Sequence, residues 1–239
     1  SRCRLPCERL GALGLHCQAP NAIVAGFQGT GHANKGAACS NQRSERRHRI
    51  IKVAMKLFLD QGFARTSMSQ VAAVVGGSKT TLWSYFPDKN ALFMAVADDL
   101  IERYFGPVER YLATANDLRA DLLHIGHSLL DAAMSSEISG LMRIATAEAR
   151  HFEALSSMFD ARGLGHGWRV IADYLERAKC AGKLIAECET QMAARHFVGL
   201  CQANWVQRVM LTGTAKPPAE ALDEDARAAV NTFMRAFAS

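Results

Sequence analysis

Between residues 67 and 86 the chain reads SMSQVAAVVGGSKTTLWSYF, and the second half gathers Ser78, Lys79, Thr80, Thr81, Trp83, Ser84 and Tyr85 into one short stretch. Hydroxyls and an indole N–H are donors suited to phosphate oxygens, and a threonine methyl can touch the C5 methyl of thymine. A solvated helix without a partner would more commonly carry Glu and Lys pairs. The chemistry of this face is nucleic-acid recognition; a polar surface helix is the plainer reading of the same residues.

Such side chains need a rigid frame, and the surrounding sequence supplies one. Ser67-Met-Ser-Gln70 is a capping box, in which Ser67 accepts from the Gln70 amide while the Gln70 side chain reaches back. Behind it Met68, Val71, Ala72 and Val75 recur at i, i+3, i+4 and i+7, one stripe of a helix. Gly76-Gly77 predicts its end, because glycine accepts the positive φ of a tight exit. Ser78 then caps a helix of about eight residues, roughly 12 Å long, which matches a major groove in size. Leu82 and Phe86 are its buried edge.

Upstream, Arg46-Arg47-His48-Arg49 leads into a first amphipathic helix with Ile50, Val53, Ala54, Leu57 and Phe58 on one face and Gly62 as terminator. Downstream, Pro87 stops the polar helix, Asp88 caps the next, and Lys89 falls beside the free amides of that helix start, a predicted phosphate clamp. Three such helices predict a DNA-binding module of the helix-turn-helix type.

Ile50 to Val96, and especially FLDQGFARTSMSQVAAVVGGSKTTLWSYFPDKNALF, resembles the N-terminal domain of the TetR family of transcriptional regulators. The resemblance implies that Ser78 to Phe86 enters the major groove, that Thr81, Trp83 and Lys89 hold phosphates, and that Lys79, Thr80 and Tyr85 contact bases or backbone. With Ser67, Ser78 and Ser84 added, these form the candidate DNA-binding set. Two departures stand out: Trp83 where the family commonly has tyrosine, which keeps a donor but loses an acceptor, and Gly77 where it has an aliphatic residue.

From Ala91 onward only helical patterns occur: a helix continuing to a break or kink at Gly106-Pro107, then segments near 107–115, 117–134, 138–160 with an interruption near His151, 167–181, 189–211 and 219–237. Gly163-Leu-Gly165-His-Gly167, Gly182 and Pro217-Pro218 separate them. The predicted fold is therefore all-α: a leader or extension at 1–43 read as disordered, a helix-turn-helix head at 44–104, and a helical bundle at 105–239. Through LMRIATAEARHFEAL and YLERAKCAGKL the body resembles the AefR-like group of the same family, which implies dimerisation through the last two long helices and a small-molecule pocket.

The apolar stripes of those helices supply a candidate dimer interface of Val198, Cys201, Val209, Ala226, Val230 and Phe233, although such stripes also suit an intramolecular core. For the effector pocket the candidates are Met134, Met142, Phe152, Met158, Phe159, Trp168, Phe197 and Trp205, adaptable apolar side chains that equally fill any helical core.

Charge follows the same division: +4 over residues 1–44, +5 over 45–89 and −4 over 90–239. A basic head on an acidic body suits a polyanion at one end. No run approaches 18 apolar residues, so no membrane partner is expected. Cys3, Cys7, His16 and Cys17 lack the paired spacing of a zinc knuckle, and the apolar run LGALGLHCQA, preceded by Glu8, makes a poor signal peptide.

Glu148-Ala-Arg-His151 is the E-x-x-H unit of di-iron bundles, with Asp131 or His127 as further ligands, but the second unit, Glu45 to His48, belongs to the head. No cofactor, metal or catalytic group is therefore expected. The sequence reads as a cytoplasmic homodimeric repressor of a palindromic operator in double-stranded DNA, released by a small molecule. A helical protein-interaction module and a metal-dependent bundle enzyme are the alternatives.

Overall fold

The computed structural model describes residues 33–76, 78–150, 157, 161, 163, 165–212 and 217–239, with side chains from residue 41. The chain divides into two compact units, Ser1–Asn41 and Gln42–Ser239; of the first, only the start of a helix is described. The described elements are α1 (Ala33–Gln61), α2 (Met68–Val75), α3 (Lys79–Tyr85), α4 (Lys89–Leu112), α5 (Leu118–Met134) and α6 (Ser136–Glu148), followed by α7 (Gly165–Cys180), α8 (Thr190–Gln202), α9 (Trp205–Thr212) and α10 (Ala219–Phe237). Among the described residues the sole β pairing is an isolated bridge between Leu184 and Ala238.

Helix boundaries in the head follow local chemistry. Ser67 and Gln70 form the reciprocal capping box, with Gln70 N donating to Ser67 Oγ at 3.2 Å and Ser67 N to Gln70 Oε1 at 2.7 Å. Gly76, at φ 73°, ends α2; the Gly77 beside it lies outside the described residues. Ser78 Oγ accepts from Thr81 N at 3.2 Å and Asp88 Oδ1 from Ala91 N at 2.7 Å, so α3 and α4 begin at side-chain caps. Buried Thr66 closes the end of α1 by donating to Gly62 O at 2.9 Å.

The head core is built around Phe58, Phe63 and Phe93, whose ring centres stand 5.0–5.5 Å apart, and it takes in Ile50, Val71, Leu82, Phe86 and Leu92. The body core joins Leu122 and Ile125 of α5 to Leu175 of α7, Phe197 of α8 and Phe233 of α10. Within it Asp121, 3% exposed, accepts hydrogen bonds from Tyr174 Oη at 2.6 Å and Tyr111 Oη at 2.7 Å, tying α4, α5 and α7 together.

Four expectations are revised. Residues 33–43, read as part of a disordered extension, belong to α1. Pro107 does not break α4, which runs through it to Leu112. The proline removes one backbone donor, but Val108 and Leu112 beyond it are buried in the body core, and Arg177 Nη2 donates to Leu112 O. The segment 189–211 is two helices, α8 and α9, parted at Ala203–Asn204, where Asn204 Nδ2 donates to Asp225 Oδ2 on α10 at 3.2 Å. Gly165 and Gly167, read as a separator, start α7 instead.

Cysteine reactivity should follow burial. Cys180 is exposed, whereas Cys188 and Cys201 are buried. Burial pushes the Cys201 thiol up to about 12 and the Cys188 thiol upward as well. An alkylating reagent at pH 8 is expected to modify Cys180 and to spare Cys201 until the protein unfolds; peptide mass analysis reporting equal rates at both sites would contradict the packing of α8.

Candidate nucleic-acid interface and effector cavity

The polar residues of α3 stand outward while Leu82 and the following Phe86 are 3% exposed each. Ser78, Lys79, Thr80 and Ser84 are exposed, and Thr81 and Tyr85 are half-buried. Trp83 is 40% exposed although it is a large aromatic, the cost of which makes sense on a surface that meets a partner. Two of the hydroxyls are already engaged: Ser78 Oγ and Thr81 Oγ1 lie 2.9 Å apart, and Ser84 Oγ donates to Thr81 O at 2.7 Å. Thr80, Lys79 and the Trp83 indole stand outside this local pairing.

Lys89 differs from expectation in geometry. Its ammonium crosses back to the turn between α1 and α2, donating to Phe63 O at 3.0 Å and Ala64 O at 3.4 Å, and sits 4.2 Å from the Phe63 ring centre. An ammonium has three donors, so one can still meet a phosphate while two hold the turn. Lys89→Met is therefore expected to cost about 1 kcal/mol of head stability through lost charge-assisted hydrogen bonds and also to weaken DNA binding. Thermal melting beside DNA titration separates the two effects; unchanged melting would remove the turn-holding role.

Three arginines of α1 were not singled out as site residues by sequence. Arg46 Nη2 donates to Gly76 O at 3.2 Å, the carbonyl at the exit of α2. The Arg43 guanidinium carbon lies 5.7 Å from the Tyr85 ring centre, and that of Arg47 lies 5.4 Å from the Phe86 ring centre. Their spacing of i, i+3 and i+4 was the available signal.

A frame of this kind, with capped α2 and α3, a positive-φ glycine between them and an exposed donor face, is matched by the profile described as "Bacterial regulatory proteins, tetR family" over residues 50–96. The profile "AefR-like transcriptional repressor, C-terminal domain" matches residues 120–239. The chain belongs to the TetR family. It is a DNA-binding transcriptional regulator.

Relatives agree with this placement. The nucleoid occlusion factor SlmA of Pasteurella multocida is 27% identical to this TetR-family chain over 172 residues, 69% of the chain and 83% of the relative. The HTH-type transcriptional regulator RutR of Escherichia coli is 34% identical over 68 residues, 28% of the chain, so the chain spans about a third of that relative's length (32%). A TetR-family regulator from Mesorhizobium loti superimposes with a TM-score of 0.76 at 23% identity, covering 82% of this chain and 98% of that one. The flavonoid-responsive regulator FrrA does so at 0.67 and 27% identity, with the same coverage.

In the body of this TetR-family regulator, a cavity of about 190 Å³ is lined by Ile101 and Phe105 of α4, Leu129 and Ala133 of α5, and Met142 and Gln202 among others. A smaller one of about 40 Å³ shares Phe105, Leu129 and Gln202 and is bounded by Trp168, Glu109 and His166. The walls are mostly apolar; Ser139 and Gln202 are the polar side chains of the larger cavity, and His166 Nε2 stands 3.1 Å from Glu109 Oε2 at the smaller. Of the expected pocket residues, Met142 and Trp168 line these cavities. Met134 and Phe197 are instead buried in core clusters, Trp205 packs against one, and Phe152, Met158 and Phe159 lie outside the described residues.

The residues proposed for a dimer interface are placed together in the structure. Val198, Cys201, Val209, Ala226, Val230 and Phe233 are each at most 7% exposed within the single chain. The stripes of α8 and α10 face each other and α5, so these side chains form intramolecular core, and Val198 borders the smaller cavity. His127, weighed as a metal ligand, stands 2.9 Å from Asp223 Oδ1, whose carboxyl is held low first by the Arg227 hydrogen bond and also by that of His127.

No helix among the described residues is long and apolar enough to cross a membrane.

Proposed function

We propose that the protein acts as a homodimeric repressor whose two α3 helices enter successive major grooves of a palindromic operator and leave it when a small apolar molecule occupies the body cavity. The observation that carries this reading is the donor-bearing face of α3, built from Lys79, Thr80 and Trp83, with Ser78 capping α3 and Asp88 capping the α4 that follows it. Seven helical residues, about 10 Å of helix, span only a few base pairs. Two copies reading half-sites roughly one helical turn apart supply the missing specificity.

The outer side of α9 and α10 is the face proposed for the second copy, because Leu211 there is 86% exposed. An aromatic or acyl molecule with one polar group suits the cavity, whose walls are apolar apart from Ser139 and Gln202. FrrA is named for its response to flavonoids, and SmeT, another structural neighbour, is described in complex with triclosan; both are consistent with an aromatic effector. Release requires that the effector bind better to the arrangement that does not fit the operator.

Selection of bound duplexes from a random pool tests the reading, with Thr80→Ala run in parallel. A palindrome with half-sites about one turn apart, and a changed preference in Thr80→Ala, is the expected result. Enrichment of no common sequence would remove the operator-reading function.

A further inference from the structure

We propose that the turns of α1 preceding residue 50 belong to the DNA interface, with Arg43 and Arg47 as phosphate contacts and Arg46 as the positioning residue beside them. This rests on α3 being the reading helix. The segment lies ahead of the stretch matched by the family's DNA-binding profile, which begins at residue 50.

Three observations converge. Arg43, Arg46 and Arg47 share one face of α1, and all three turn toward α3 or the glycine exit before it: Arg43 over Tyr85, Arg47 over Phe86, and Arg46 onto Gly76 O. Arg46 is committed to that carbonyl and has its Nε buried without a hydrogen-bond partner, so it holds the turn and does not reach outward. Arg43 and Arg47 are exposed and make no ion pair with a carboxylate among the described residues.

The mode of packing decides what those two can do. A guanidinium held 5.4–5.7 Å over an aromatic ring is attracted to it through its charge, which leaves its N–H groups available as donors. Those donors are left for planar or tetrahedral oxygen acceptors, at the flank of the helix that carries Tyr85. Residues 42–52 contain Arg43, Arg46, Arg47, Arg49 and Lys52 against a single acid, Glu45, so the acceptor that fits is a row of phosphates. A short α3 also leaves most of the affinity to backbone contacts of this kind.

The test uses the full chain and a duplex obtained by the selection above, titrated from low to high salt. Arg43→Gln with Arg47→Gln removes two contacts from each protomer, and is expected to make the slope of log affinity against log salt shallower by about 3.6 for the proposed dimer, or about 0.9 per phosphate. Preference among operator variants and the melting temperature should not change, and Arg43→Lys with Arg47→Lys should restore the slope. An unchanged slope in the glutamine pair, or an affinity loss that follows lowered melting and is not restored by lysine, overturns the proposal. Thr80→Ala separates the two layers. If it alters operator preference while the glutamine pair keeps the parent slope, only this inference fails; if it alters nothing, the reading helix fails and the inference with it.

Discussion

Replacing Phe93 with alanine is expected to lower the stability of the DNA-binding head by about 3–5 kcal/mol, the usual cost of emptying a buried aromatic site. The side chain is fully buried, and its ring meets Phe58 edge-on at 5.2 Å and Phe63 at 5.0 Å, contacts that add to simple burial. Phe93 belongs to α4, whereas Phe58 is on α1 and Phe63 in the turn after it, so the cavity opens where α4 closes the head. Lys89 stacks on the same Phe63 ring. Loss of Phe93 should therefore loosen the turn that Lys89 holds and remove operator binding together with the fold of α2 and α3. Urea melting followed by Trp83 fluorescence, with Trp168 and Trp205 replaced by Phe, reads the head directly. Phe93→Leu serves as the comparison; equal midpoints for the alanine and leucine variants would show that the aromatic cluster contributes little.

The second large effect is expected at Asp121. Asp121→Leu removes the acceptor of two tyrosine hydroxyls, but the two are not equivalent, because Tyr174 is 2% exposed and Tyr111 38%. Water can take the place of the carboxylate at Tyr111. At Tyr174 the hydroxyl is left buried and unpaired, at a cost of about 2–3 kcal/mol. Adding Tyr174→Phe to Asp121→Leu should recover most of the loss, whereas adding Tyr111→Phe should recover little; equal recovery would contradict the asymmetry.

Burial first, and then the hydrogen bond to Asp121, push the Tyr174 hydroxyl above its ordinary ionisation range. In the unfolded chain a tyrosine ionises near about 10, so above that pH the unfolded state holds fewer protons and stability falls as pH rises. Below it the contribution is complete. Tyr174→Phe removes this share of the alkaline decline.

The head was legible in the sequence because its boundaries are set by neighbours in the chain. Ser67 with Gln70, Ser78, and Asp88 after Pro87 act within three or four residues, and each cap formed as its spacing implies. The body was legible as helices but less so in its joints. Pro107 carries a strong local signal to stop, yet it is overruled by the burial of Val108 and Leu112, whose core cluster includes Leu175, Phe197 and Phe233 from distant parts of the chain. At Ala203–Asn204 the reverse holds: no glycine or proline marks the turn, and its visible tie is to Asp225, about twenty residues on.

Amphipathic spacing shows which face of a helix is buried without showing against what. That is why Phe233 and Val230 suited both a surface between copies and a body core; within the single chain they pack with Phe197 and the rest of that core. The polar start of α1 has no apolar stripe to mark it in the sequence, and the described contacts of Arg43 and Arg46 are with Tyr85 and Gly76, some thirty to forty residues away.

Because α4 passes unbroken through Pro107, one helix contributes Leu92, Phe93, Val96 and Leu100 to the head core and Val108 and Leu112 to the body core. Each residue added or removed between Leu100 and Val108 would rotate one set against the other by about 100°. Two hydrophobic cores are thus indexed to a single screw, and the number of residues in that interval is fixed even where the identity of each is not. The walls at Ile101 and Phe105 fall inside the interval. Whatever presses on them acts on the part of the chain where the angular phase between the two cores is set.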